Sequence, residues 1–166
     1  ERLRSAVESA LQAVPGARLS SDSDFTLVDL AIDYNEEARL GVDAARRLEQ
    51  HLRGLGVQAV RSSVHVNAWV GSFDKRSSSL TLLRQELGLD EAKARATCLY
   101  LGDSFNDAPM FGAFARSVGV AEVKALGPEL EAEPGYVTEG GGAKGACEVL
   151  EALIRARALA SGPRVD

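Results

Sequence analysis

Two aspartates and an asparagine, Asp103, Asn106 and Asp107, fall within five positions. They follow an apolar run, Cys98, Leu99, Tyr100 and Leu101, that ends at Gly102. Pro109 and the apolar Met110, Phe111 and Phe114 predict a helix starting directly after them. The string reads as a buried parallel strand delivering carboxylates to its C-terminal edge, where open α/β sheets place their ligands. Two carboxylates this close repel each other unless something positive lies between them. A hard divalent cation with its demand for oxygen ligands fits, which makes Asp103 and Asp107 candidate metal residues. A plainer reading of the same residues is an Asx-type turn and a capped helix, with Asp107 as the cap and Pro109 in the first turn.

The elements around this string follow from periodicity. Residues 1–14 place Leu3, Val7, Ala10, Leu11 and Val14 at helical spacing, and Pro15-Gly16 stops the helix. Residues 17–34 read as two strands. In the second, Val28, Leu30 and Ile32 share one face, and Asp29, Ala31 and Asp33 the other. Residues 41–54 form an amphipathic helix, and residues 57–70 a hairpin whose second strand sets His65, Asn67 and Trp69 opposite Val64, Val66, Ala68 and Val70. Residues 1–71 are thus expected to be a small α+β domain, a four-stranded antiparallel sheet with both helices on its apolar face. From residue 75 the order changes to α-β-α-β-(α)-β-α, with Leu80, Leu83 and Leu87 of the first helix inward, which argues for a parallel sheet wrapped by helices over residues 72–160. Residues 161–166 read as a polar tail.

The 166 residues carry a net charge of −5 with acids and bases interspersed, which gives neither a nucleic-acid groove nor a basic membrane face. No apolar run is long enough for a membrane span. Cys98 and Cys147 both lie in apolar segments and read as buried thiols of a reducing, cytoplasmic compartment. His51 and His65 do not form a metal pair. The run Gly140 to Gly145 lacks the spacing of a phosphate loop and reads as a turn before the last helix.

Gly-Asp-Ser-Phe-Asn-Asp after an apolar strand resembles the fourth motif, GDxxND, of the haloacid dehalogenase (HAD) superfamily of phosphatases. The family's third motif is a lysine at a helix start, one βα unit earlier, and Lys75 opens a helix 28 positions before Asp103. The resemblance implies that Asp103 binds Mg²⁺, that Asp107 supports the metal site and orients Lys75, and that Lys75 neutralises charge on the transferring phosphoryl group. Asn106 and Ser104 would bond in the phosphate shell. The first 71 residues resemble the α+β cap of the IIB subfamily, which includes sugar-phosphate phosphatases. There the open cap face, here His65, Asn67 and Trp69 with Asp29, Asp33 and Arg61, would meet the leaving group. The fold class implied is α/β, the later half of a parallel Rossmann-like core with an α+β cap.

Motifs one and two of that family, which bring the nucleophilic aspartate and a phosphate-binding hydroxyl, have no counterpart ahead of residue 1. The resemblance therefore implies a Mg²⁺-dependent phosphatase of a small phosphorylated metabolite, present here as a fragment that is inactive alone. A further N-terminal segment or a homo-oligomer would complete the core. One string imitates motif one, Asp22-Ser23-Asp24-Phe25-Thr26, with Ser62 or Ser63 as a second motif. That alternative makes the chain a complete capless phosphatase. Against it, the apolar strand follows the aspartates instead of ending at them, and no crossover helix separates 57–61 from 64–70. A third alternative is a binding module that kept the metal site without the nucleophile.

Overall fold

The computed structural model describes residues 1–160; the expected tail at 161–166 lies outside the described residues. The chain divides into two compact units, Glu1–Asp74 and Lys75 onward.

The first unit runs α1 (Arg2–Ala13), β1 (Arg18–Leu19), β2 (Asp29–Asp33), α2 (Val42–Gly54), β3 (Gln58–Arg61) and β4 (His65–Trp69). The strands form one antiparallel sheet in the order β1-β2-β4-β3. Cross-strand partners share a face. Leu30 opposite Ala68, Ile32 opposite Val66 and Ala59 opposite Ala68 carry the apolar one. Helix α1 turns Ala6, Val7 and Ala10 to the core and α2 turns Ala45, Leu48 and Leu52, the 3.6-residue spacing read from the sequence. Ile32, Leu48, Leu52 and Val66 are fully buried, each large side chain contributing about 1.5–3 kcal/mol. Val28, expected to continue the apolar face of β2, lies outside the strand and is exposed.

The second unit runs α3 (Lys75–Leu87), α4 (Glu91–Thr97), β5 (Leu99–Gly102), α5 (Ala108–Ala113), β6 (Arg116–Gly119), a 3₁₀ segment (Ala121–Glu129), β7 (Tyr136–Val137) and α6 (Gly142–Ala160). The sheet is parallel, in the order β5-β6-β7. Helix α4 was not read from the sequence. Asp90 caps it by accepting from the Lys93 amide at 2.8 Å, and its helix-forming alanines carry it to Thr97.

This unit is covered unevenly. Three of the four β6 residues are buried, whereas all four of β5 are half-buried. The far edge of β5 pairs with no strand among the described residues. Leu80 and Leu83 of α3 pack against Met110, Ala113 and Phe114, but no α3 residue is buried, and Leu87, expected inward, is exposed. Gly145 is the one buried residue of α6, on which Leu150, Leu153 and Ile154 face solvent. Periodicity predicts an apolar stripe but not whether anything lies across from it. For the same reason Cys147, expected inside, is exposed on α6, and Cys98 is half-buried.

Candidate active site

The chain leaves β5 at Gly102 and turns through a 3₁₀ helix, Phe105–Asp107, directly into α5. Ser104 and Asp107 form a reciprocal capping box over that turn, and Pro109 sits in the first turn of α5. The plain capping chemistry expected for Asp107 is therefore present. Gly102 is required here, because a Cβ on it would lie 2.6 Å from the Asp107 carboxyl carbon.

Asp107 is buried, and both its oxygens are engaged. Oδ2 accepts from the amides of Asp103 at 2.8 Å and Ser104 at 3.0 Å. Oδ1 accepts from Lys75 Nζ and from the Tyr100 hydroxyl, each at 2.5 Å. Burial alone would raise the Asp107 carboxyl, but the hydrogen bonds from Lys75, Tyr100 and the Asp103 amide outweigh it and hold it below the ordinary carboxylate value. The same neighbourhood raises the Tyr100 phenol, through burial first and then its bond to Asp107.

Lys75 stands at the first position of α3, its side chain 41 % exposed. Its ammonium also donates to Asn106 Oδ1 at 3.1 Å, and Ser104 Oγ donates to the same oxygen at 2.9 Å. Asp103 projects differently: it is exposed, and its carboxylate makes no hydrogen bond or ion pair among the described residues. The turn thus gathers Lys75, Ser104, Asn106 and Asp107 into one network and leaves one carboxylate beside it free for a ligand.

The donor set can be tested against a hard cation. Asp103 offers oxygen in the right chemistry and the right state of exposure. Asp107, expected beside it as a metal residue, has both oxygens engaged by hydrogen-bond donors, Lys75 among them. Among the described residues no cluster of three or more His, Cys, Asp and Glu side chains converges on one point. The fit is to a cation held by Asp103 as one ligand of several.

Sequence reasoning passed over Tyr100, counting it with the apolar strand. Its signal was a hydroxyl placed three residues before Asp103. It also passed over what closes the glycine run near the C-terminus. Glu148 Oε2 accepts from the Glu139 amide at 3.0 Å and Oε1 from the Gly140 amide at 2.9 Å, while Glu122 accepts from the Gly142 amide at 3.1 Å. The chain's own carboxylates occupy these amides, so the loop is a closed turn, in keeping with the reading of the sequence.

In the first unit, Asp33, His65, Asn67 and Trp69 do share the open face, through the pairs Asp33 with His65, Ala31 with Asn67 and Asp29 with Trp69. His65 pairs with Glu36 at 2.9 Å. Trp69 Nε1 donates to the Phe73 carbonyl at 2.7 Å. Asp33 is spent on structure: it accepts from the amides of Glu36, Glu37 and Ala38 and pairs with Arg18. Arg61 requires a correction. It lies opposite Val66, on the helix-facing side, and its Nε donates to Glu49 of α2 at 2.8 Å. Strand alternation gives the open face to Val60, so Arg61 does not belong with His65 and Asn67.

The motif-one imitation is also overturned. The short β1 before Asp22 is exposed and antiparallel to β2, and Asp22 accepts from Ser20 Oγ at 2.6 Å ahead of a 3₁₀ turn over Ser23–Phe25. Ser62 and Ser63 lie in the turn of the antiparallel β3–β4 hairpin. Neither string stands at the C-terminal end of a buried parallel strand.

No protein-family model matches this sequence, and no curated protein matches it. Solved structures do resemble it. The sucrose-phosphatase of Synechocystis sp. PCC6803, solved with sucrose and phosphate, aligns with a TM-score of 0.60 at 18% identity over 91% of this chain and 62% of that one. The trehalose-6-phosphate phosphatase of Aspergillus fumigatus aligns at 0.41 and 19% identity, over 83% of this chain and 52% of that one. A trehalose-6-phosphate phosphatase related protein aligns at 0.49 and 19% identity, over 96% and 59%. The chain thus spans less than two thirds of the length of each. The sucrose-phosphatase likeness shows the fold, an antiparallel α+β unit followed by part of a parallel α/β core, which is the class expected from the sequence. Among the described residues no helix is long and apolar enough to cross a membrane.

Proposed function

We propose that this chain is part of a HAD-type phosphatase that hydrolyses a small, sugar-like phosphomonoester. One observation carries the reading. An exposed carboxylate, Asp103, and a lysine held by a buried carboxylate, Lys75 on Asp107, stand together at the C-terminal end of a parallel strand. The sucrose-phosphatase fold supports it, and so does the open sheet face bearing His65, Asn67 and Trp69, polar groups with one flat aromatic that suit a hydroxylated leaving group.

Asp103 would hold Mg²⁺, which when bound offsets the repulsion between phosphate oxygens and carboxylates. Lys75 brings a positive charge to where the phosphoryl group gains negative charge, and its bonds to Asp107 and Asn106 keep it aligned for that. Asn106, with its carbonyl oxygen engaged by Lys75 and Ser104, has its NH₂ to donate to a phosphate oxygen. Ser104 locks the turn. The attacking carboxylate belongs to a segment beyond residues 1–166, adding to the core that β5 leaves open, and the 166-residue chain is inactive alone.

The test is phosphomonoester hydrolysis with Mg²⁺, run on this chain and on the product of the complete reading frame. Turnover by the longer product only, lost in Asp103→Ala and Lys75→Ala, is the expected result. Turnover by the 166-residue chain sinks the fragment reading. A longer product that binds Mg²⁺ without turning over any phosphomonoester makes the chain a binding module.

A further inference from the structure

We propose that Tyr100 is a positioning residue that sets how firmly Asp107 holds Lys75. Its consequence for catalysis rests on the phosphatase reading; its geometry does not. Asp107 Oδ1 receives two donors at equal distance, Lys75 Nζ and the Tyr100 hydroxyl, both at 2.5 Å. The two differ in freedom. Tyr100 stands on β5, its ring edge-on to Phe111 at 5.8 Å and stacked on Phe114 at 6.1 Å, so its hydroxyl cannot leave the carboxylate without moving the strand. Lys75 reaches the same oxygen on a flexible, 41 % exposed side chain.

A half-buried tyrosine hydroxyl finds an acceptor as a rule, and that alone would account for the bond. What points further is which oxygen it takes. Oδ2 is committed to the amides of Asp103 and Ser104, so the carboxylate cannot turn to give each donor its own oxygen. A fixed donor and a movable one therefore share a single acceptor. The fixed donor draws on the negative charge of Oδ1 and weakens the grip on the ammonium. Lys75 is kept aligned by Asp107 and Asn106, yet loosely enough to turn its charge to an arriving anion. Without the hydroxyl, Oδ1 would have one partner, and the ion pair would close on itself.

The experiment is Tyr100→Phe, which keeps both ring contacts and removes the hydroxyl. The ammonium order parameter of Lys75 is read by nitrogen NMR in the 166-residue chain, which has four lysines, with Lys75→Arg assigning the resonance. The expected result is a more rigid ammonium. Labelling with 3-fluorotyrosine, a stronger hydroxyl donor, leaves every side chain in place and should shift the order parameter the opposite way, so the inference stays testable if the Phe variant does not fold. In the longer product, Tyr100→Phe should lower kcat about tenfold, with KM within about twofold. An order parameter that falls or stays put on hydroxyl removal, or that does not reverse with fluorotyrosine, overturns the inference and leaves Tyr100 as a satisfied core hydroxyl. Lys75→Ala separates the two claims. If that variant still turns over, the catalytic role given to Lys75 fails whatever Tyr100 does, and if the wild-type longer product turns over no phosphomonoester, the phosphatase reading fails. If it is dead while Tyr100→Phe matches wild type in both readouts, only the inference fails.

Discussion

Replacing Asp107 by asparagine isolates what its carboxylate does in the second unit. The residue is 2 % exposed, and its carboxylate receives Lys75 and Tyr100 on one oxygen and, on the other, two backbone amides and the Ser104 hydroxyl at 3.4 Å. An amide brings one acceptor and one NH₂. The amides of Asp103 and Ser104 are fixed in the turn and retain the oxygen. The NH₂ is then aimed at Lys75 and Tyr100. Lys75 can swing into water, so its share is that of a surface pair, about 0.5–1 kcal/mol. Tyr100 can rotate its hydroxyl to accept from the NH₂, which returns part of that bond. The amides exchange a charged acceptor for a neutral one and lose part of about 1.5–3 kcal/mol. The sum is about 2–3 kcal/mol against the second unit. The assay is amide hydrogen exchange of β5 and the 103–107 turn, where this loss reads as roughly 30- to 150-fold less protection. Loss below about threefold refutes the reasoning. So does an equal loss in Lys75→Ala, because it would mean that the surface pair carries the effect and the buried amides do not.

Gly102→Ala should destabilise the second unit by about 1–3 kcal/mol and displace Asp107, since the new Cβ would lie 2.6 Å from its carboxyl carbon; thermal unfolding and the Lys75 ammonium spectrum both report it. Acid stability follows from Asp33 and Asp107, both held below the ordinary carboxyl value of 3.8 in the folded chain. A depressed folded value means that the unfolded chain binds more protons, so their contribution is fully present above about pH 4 and is lost as pH falls through the lower folded values. Urea midpoints should therefore fall with pH in that window for the wild type. They should fall less steeply in Asp33→Asn, whose carboxylate no longer takes up a proton on unfolding.

Much of the fold was legible because its signals are local. Apolar spacing of 3.6 marked α1 and α2, and alternation marked β2 and β4. The turn at Asp103–Asp107 was legible for the same reason, since Gly102, Ser104, Asp107 and Pro109 act on their own backbone. The meeting of Lys75 with Asp107 came from the resemblance, because no local rule brings together residues so far apart in the chain.

Only tertiary structure decided how each group's bonding capacity is used. Asp103 and Asp107 look alike in the sequence, yet one is exposed and free while the other is buried under hydrogen-bond donors, because Tyr100 and Lys75 arrive from β5 and α3 to join those of the turn. Arg61 and Val60 exchange faces on a one-residue difference in pairing, which periodicity in a four-residue strand is too short to settle. Leu87 of α3 and Leu150 and Leu153 of α6 are apolar side chains on helices yet stay exposed, because nothing among the described residues covers them. A side chain's type and period are properties of the chain; its partner is a property of whatever the fold brings opposite it.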